Sequence, residues 1–273
     1  EIPEYLQEML WNRGTPAVLT SGTLKAGNSF VRTRQMIGLD ESSNGKRVKI
    51  QEHTAESPFN YRKNCLIYLP EGSKKIKHGS EKDIVRIADQ IKRLVSAVHG
   101  HTLVLFTSCS LMGNVCKLIR GSLPFPVIEV WRHAPEEIQR FKKQENAVLF
   151  EAGSCWEGMD FPGDMVSSLI IAKLPFAVPD PVSEAEKEEY ESLRKYIEES
   201  VVPDMQKKLR QGFGRAIRTE TDTCVVSILD HRAAKGGRYH EKVLQAFPAC
   251  QMAESLEDVE TFIRSRKDVE YYM

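Results

Sequence analysis

Short runs rich in Val, Ile and Leu recur along the chain at Ala17–Thr20, Cys65–Leu69, Leu103–Thr107, Val127–Trp131, Ala147–Glu151, Ser168–Leu174 and Cys224–Asp230. Their length and apolar character predict strands, several of them buried on both faces. Segments of helical periodicity lie between them. Glu81–His99 carries Ile84, Ile87, Ile91, Leu94, Val95 and Val98 on one stripe, as an amphipathic helix requires. Strands alternating with helices imply βαβ crossovers and a mostly parallel sheet with helices on both faces. Ile2, Leu6, Met9 and Leu10 predict a helix over Glu1–Trp11, already in progress at its first residue, so the natural polypeptide is expected to begin well upstream. Glu184–Ser200 holds seven acidic and three basic residues and is expected to be a solvated helix. Pro203 is placed to open another at its first turn, running to Arg218 with Met205, Leu209 and Phe213 on its apolar side.

Lys25–Arg47 and Glu71–Ser80 are polar and rich in Gly, Ser and Lys, and read as loops or linkers. The first segment, 1–60, is expected to belong to a preceding domain and its connection, with a main domain over 61–273. Composition narrows the choice of function. At 273 residues and 41% hydrophobic, the chain can bury a substantial core. Its 38 basic and 38 acidic side chains cancel, so any contact with nucleic acid must be local rather than driven by a global field. Six cysteines without a C-x-x-C pair argue against a disulfide framework or a zinc site and for mostly buried thiols; no metal site is expected. With no long apolar run and no secretory signal pattern, the expected compartment is the cytoplasm, away from any membrane.

Chemistry concentrates in two places. In the expected helix over 203–218, Gly212 and Gly214 would each cost about 1 kcal/mol relative to Ala, which implies close approach of another chain or of a phosphate. Arg215 and Arg218, three apart, would share a helical face with Gln211 one turn earlier. Paired guanidiniums suit a transferring phosphoryl group, and Gln211 could orient a phosphate or a water. An exposed basic helix with incidental glycines fits the same residues. A dinucleotide-binding loop does not, because Ile217 stands where the third glycine belongs. The second place is the loop after the run at 147–151. There Gly153 and Gly158 would let amides approach an anion, while Glu157 or Asp160 could accept a ribose hydroxyl or hold an arginine; an ordinary turn has the same composition.

The longer strings carry a resemblance. Q-G-F-G-R-A-I-R-T-E-T-D at 211–222 resembles motif VI of superfamily 2 helicases in the form found in the DinG and XPD family. Downstream, Asp230-His-Arg232 and the Tyr239-to-Pro248 segment are similar to that family's D-x-R and terminal L-P elements. F-E-A-G-S-C-W-E-G-M-D-F-P-G at 150–163 resembles motif V, V-L-F-T-S-C-S-L-M at 104–112 motif IV, and L-T-S-G-T-L at 19–24 motif III with Gly22 in place of Ala. Ser57-Pro-Phe59 is similar to an element that follows motif III. The matches run from about residue 17 to 248 in the family's order.

The resemblance implies an α/β fold of the RecA-like, P-loop NTPase type, with a parallel sheet covered on both faces: the second helicase motor domain, without the P-loop itself. It implies catalytic roles for Arg215, Arg218 and Gln211, with Gly214, Glu157, Gly158 and Asp160 serving ATP binding and coupling. DNA contacts would come from Thr107, Ser108, Ser110, Gly153, Ser154 and Trp156; Trp156 or Phe161 could stack on bases, and core packing suits both at least as well. No G-x-x-x-x-G-K-[ST] or D-E-A-H string is present, so ATP and Mg2+ would be held mainly by a preceding RecA-like domain of the same polypeptide. No iron–sulfur ligand set is expected in this segment. The implied partner is single-stranded or forked DNA, the implied polarity 5′ to 3′, and the segment alone would be inactive. A DNA-stimulated ATPase, a nuclease fused to a helicase-like protein, and a non-catalytic nucleic-acid-binding module share these motifs in part.

Overall fold

A computed structural model describes residues 2–14, 16–39, 49–71, 77, 79–131, 134–153, 156 and 159–273. By internal contacts the chain divides into two compact units, Glu1–Ser57 with Phe176–Lys207, and Pro58–Pro175 with Lys208–Met273. Residues 176–207, expected within the main domain, group by contacts with the first segment.

Among its described residues the second unit holds seven strands: β1 (Cys65–Tyr68), β2 (Thr102–Leu105), β3 (Val127–Val130), β4 (Val148–Glu151), β5 (Ser168–Ile171), β6 (Cys224–Ile228) and β7 (Gln251–Ala253). They form one sheet in the order β3-β4-β2-β5-β6-β1-β7, and every pairing is parallel. The central strands β2, β4, β5 and β6 are buried along their whole length, which is why they read as unbroken apolar runs. Edge strand β3 alternates buried and half-buried positions. The other edge, β7, was not foreseen: Gln251 and Met252 are exposed and only Ala253 is buried, so it offers too little apolar pattern to recognise.

One sheet face packs through Leu66, Val104, Phe150, Ile170 and Val225 against helices α4 (Glu81–Ala97), α5 (Cys109–Ile119) and α11 (Leu256–Arg264). The expected stripe of α4 is the buried one, with Ile87, Ile91, Leu94 and Val95 at its centre. Ser80 caps this helix by accepting the Asp83 amide at 3.3 Å.

The first unit contains α1 (Ile2–Met9), α2 (Val31–Met36), α7 (Pro181–Glu188) and α8 (Leu193–Tyr196), while the short helices α3 (Tyr61–Asn64), α6 (Pro135–Lys142) and α10 (His240–Leu244) belong to the second. Arg32 ties it together, reaching Glu186 at 2.5 Å and Asp204 at 3.0 Å. Two expectations fail here. Ala17–Thr20 is exposed irregular chain rather than a strand, with Val18 92% exposed; a strand needs a ladder partner, and none of the described strands pairs with it. The single helix expected over 184–200 is broken after Glu188, because the Ser192 side chain accepts the Lys195 amide at 3.2 Å and caps a new start.

Candidate nucleotide-coupling and nucleic-acid site

In an open parallel sheet, ligand groups collect outside the carboxyl ends of the strands; the candidates at 107–110 and 153–160 lie on the segments leaving β2 and β4, and those at 211–218 on the segment that leads into β6. Helix α9 (Val202–Phe213) leads into the motif at 211–222 and ends at Phe213 rather than Arg218. The amide of Gly214 bonds the Arg210 carbonyl at 3.0 Å, that of Arg215 the Gly212 carbonyl at 2.9 Å, and that of Ala216 the Phe213 carbonyl at 2.9 Å. The shared helical face expected for Arg215 and Arg218 is therefore absent. The chain tightens into successive turns that bury Ala216 and Ile217.

The guanidiniums converge all the same, through a different device. Nη1 of Arg215 and Nη2 of Arg218 both donate to the carbonyl oxygen of Met159, the latter at 2.7 Å. Nε of Arg218 lies 3.3 Å from Asp160 Oδ1. Asp160 thus holds an arginine, one of its two expected roles. The backbone that presents Arg218 is fixed by Asp222, whose Oδ2 accepts the amides of Arg218 and Thr219 at 2.8 and 2.9 Å. Met159 and Asp222 went unassigned in the sequence. Asp222 had a readable signal, a carboxylate four residues after Arg218 where it can collect turn amides; the Met159 carbonyl had none. Gln211 is half-buried on the last turn of α9.

Gly212 answers to a different neighbour than expected. A Cβ there would stand 3.1 and 3.2 Å from Cζ3 and Cε3 of Trp156 and 3.3 Å from Cδ1 of Leu105. The close approach is internal packing, not a phosphate or a second chain. Trp156 is 2% exposed, donates Nε1–H to the Phe106 carbonyl at 3.1 Å, and has Lys208 Nζ 5.7 Å over its ring. An indole so enclosed has no open face for a base; of the two readings its sequence position allows, stacking on a base and packing in the core, it takes the packing one here. Phe161 is also buried, edge-on to Phe141 with ring centroids 5.5 Å apart.

The turn from β2 into α5 presents Thr107 half-buried and Ser108 and Ser110 exposed. Ser108 caps α5 by accepting the Leu111 amide at 3.2 Å. The Cys109 thiol lies 4.0 Å from the carbonyls of both Trp131 and Ala152, which draws the ends of β3 and β4 beside this turn. Gly153 follows with φ 145°, a conformation that side chains disfavour. Ser154, Glu157 and Gly158 lie outside the described residues.

Two carboxylates brace the same edge of the sheet. Burial pushes the Asp83 carboxyl up, but the Gly79 amide, Arg86 and Lys173 outweigh it and hold it below the usual range; Lys173 Nζ stands at 3.1 Å. Burial likewise opposes ionisation of Asp230, and Arg232 with the amides of Arg232 and Leu174 overcomes it more strongly. Both folded pKa values are depressed, so the stabilisation is complete above the ordinary carboxylate value of about 4 and is lost as pH falls from there down through the lower folded values. Asp83→Asn should flatten the acid side of a stability profile measured by denaturant unfolding; an unchanged slope would count against the pairing.

A parallel RecA-like sheet carrying these segments in this order defines the second motor domain of a helicase. The family model of the helicase C-terminal domain matches residues 91–250, and the chain belongs to that family. It is 33% identical to the ATP-dependent DNA helicase DinG of Photobacterium profundum over 91% of this chain and 36% of that protein. It is 28% identical to the 3'-5' exonuclease DinG of Bacillus subtilis over 97% of this chain and 29% of that protein. A third relative is the ATP-dependent DNA helicase YoaA of Escherichia coli, 28% identical over 85% of this chain and 35% of that protein. The chain thus spans about a third of the length of these relatives. Among solved structures, an XPD helicase matches with a TM-score of 0.65 at 20% identity, over 92% of this chain and 45% of that one. A second XPD structure matches with a TM-score of 0.53 at 23% identity, over 70% and 40%. Among the described residues no helix is long and apolar enough to cross a membrane.

Proposed function

We propose that this chain is the C-terminal motor half of an ATP-dependent DNA helicase and completes the nucleotide site of a preceding RecA-like domain in the same polypeptide. The observation that carries this reading is the convergence of Arg215 and Arg218 on one carbonyl oxygen beside Asp160. Two guanidiniums gathered at one point can stabilise charge spread over the oxygens of a transferring phosphoryl group. The Met159 carbonyl holds them together until a nucleotide arrives. The preceding domain would hold ATP and its Mg2+, and residues 1–60 would be the tail of that domain and its connection. Gln211 would orient a phosphate or a water beside the two arginines, while Gly214, Glu157, Gly158 and Asp160 would bind ATP and couple it to the DNA-facing loops, so that closure and opening move the strand. The 5′-to-3′ polarity and the inactivity of this segment alone are part of the same proposal.

Thr107, Ser108, Ser110, Gly153 and Ser154 would face the DNA backbone, hydroxyls and amides on phosphates, a mode that fixes register without reading sequence. Replacing Thr107 and Ser108 together by Ala in the full-length protein should weaken single-strand binding several-fold and equally for oligonucleotides of different sequence. Unchanged affinity in a titration would remove these residues from the interface. The exonuclease name of the Bacillus subtilis relative supports a second reading, a helicase-like motor joined to a nuclease. A forked DNA labelled on one strand separates the two. Strand displacement intact and dependent on ATP supports the helicase; release of labelled nucleotides without displacement supports the nuclease.

A further inference from the structure

Three tryptophans stand in the chain. Trp11 and Trp156 are buried, whereas Trp131 is 45% exposed. It follows the last residue of β3 and sits at the carboxyl edge of the sheet, where the Cys109 thiol approaches both its carbonyl and that of Ala152 at 4.0 Å. It is therefore adjacent to both the β2–α5 turn and the start of the β4 loop.

A single exposed aromatic is commonplace on a protein surface, but this ring is held at two of its edges. Its Nε1–H donates to Glu129 Oε2 at 3.1 Å, and Glu129 is in turn paired with Arg120 at 3.4 Å, which offsets its charge. The opposite, benzo edge lies over Gly113 of α5. A Cβ at Gly113 would come within 2.7 Å of Cη2, 3.4 Å of Cζ3 and 3.8 Å of Cζ2. These unequal distances, centred on Cη2, describe a ring meeting the helix edge-on. Any residue but glycine at 113 would displace it. With its polar hydrogen already donated and both edges occupied, what the indole offers a ligand is a rigid π-face. Such a face suits an unpaired nucleobase of any identity, since every base has one.

We infer that Trp131 is a base-stacking platform for single-stranded DNA, flanking the phosphate-facing turn at Thr107–Ser110. This rests on the DNA-contact reading above and adds to it a contact with a base instead of the backbone. It also reassigns the aromatic role from Trp156, which is enclosed, to a tryptophan that is not. Ser110 and Asn114, exposed on the same helix as Gly113, would flank the stacked nucleotide.

The test compares the full-length protein with its Trp131→Phe and Trp131→Ala variants, each titrated against oligo(dT) and against a strand of the same length built from abasic sites. Stacking predicts that Trp131→Ala binds oligo(dT) roughly tenfold more weakly, that Trp131→Phe keeps most of the affinity, and that all three bind the abasic strand alike. Equal binding of oligo(dT) by wild type and Trp131→Ala overturns the inference. So does an equal loss on both strands, which would mark Trp131 as a packing residue or as the contact for another protein. Failure of the wild type itself to bind oligo(dT) would remove the DNA reading, and this inference with it. Should Trp131→Ala not fold, Trp131→Gln takes its place, keeping a long side chain over Gly113 without an aromatic face.

Discussion

Alanine at Arg215 or at Arg218 in the full-length protein should lower DNA-stimulated ATP turnover by a factor of roughly a thousand or more, the contribution expected of an arginine that stabilises phosphoryl transfer. Affinity for single-stranded DNA should hardly change, because neither side chain lies on the DNA-facing turns. Lysine should rescue little: it keeps the charge but not the planar fork that lets each guanidinium share one oxygen with its neighbour. The two positions act on the same oxygen in this structure, Met159 O, so the double variant should fall little further than either single one. Turnover within about twofold of wild type in both single variants would sink the assignment. Asp222 offers a further control. It positions the Arg218 backbone without facing the proposed nucleotide, so its removal should lower turnover by less than removal of Arg218 itself.

Most of the fold was legible because the buried strands of a parallel sheet leave unbroken apolar runs and the capped helix α4 leaves a clean stripe. The failures have physical causes. Val18 and Leu19 look like strand residues, yet a run becomes a strand only when a neighbour supplies the ladder. Edge strand β7 lacked an apolar pattern because Gln251 and Met252 face solvent. At the site, the geometry differs from the expected helical face. Arg215 and Arg218 do converge, but on a shared carbonyl at the end of a helix and not along its face. That difference could not be read from spacing, since residues three apart meet in a helix and here meet in a turn. The glycine at 212 was correctly read as a mark of close approach, but one sequence does not name the approaching group. Packing decides that, and it chose Trp156.

Trp156→Ala should destabilise the protein by about 3–5 kcal/mol, the range for deleting a large buried aromatic. Its ring fills the space between Leu105 on the sheet and Gly212 on α9, and its N–H satisfies the Phe106 carbonyl. Gly212→Ala should cost much less on its own. The added methyl gains about 1 kcal/mol of helix propensity while pressing on Trp156 and Leu105 at 3.1–3.3 Å, which they can relieve by shifting a few tenths of an ångström. The combination separates the two effects. With the ring gone, the methyl at 212 meets an emptied site, so the double variant should be more stable than Trp156→Ala alone and the cycle strongly non-additive. A tryptophan that served DNA instead would give the opposite pattern under denaturant: stability close to wild type, no coupling to position 212, and a loss confined to single-strand binding.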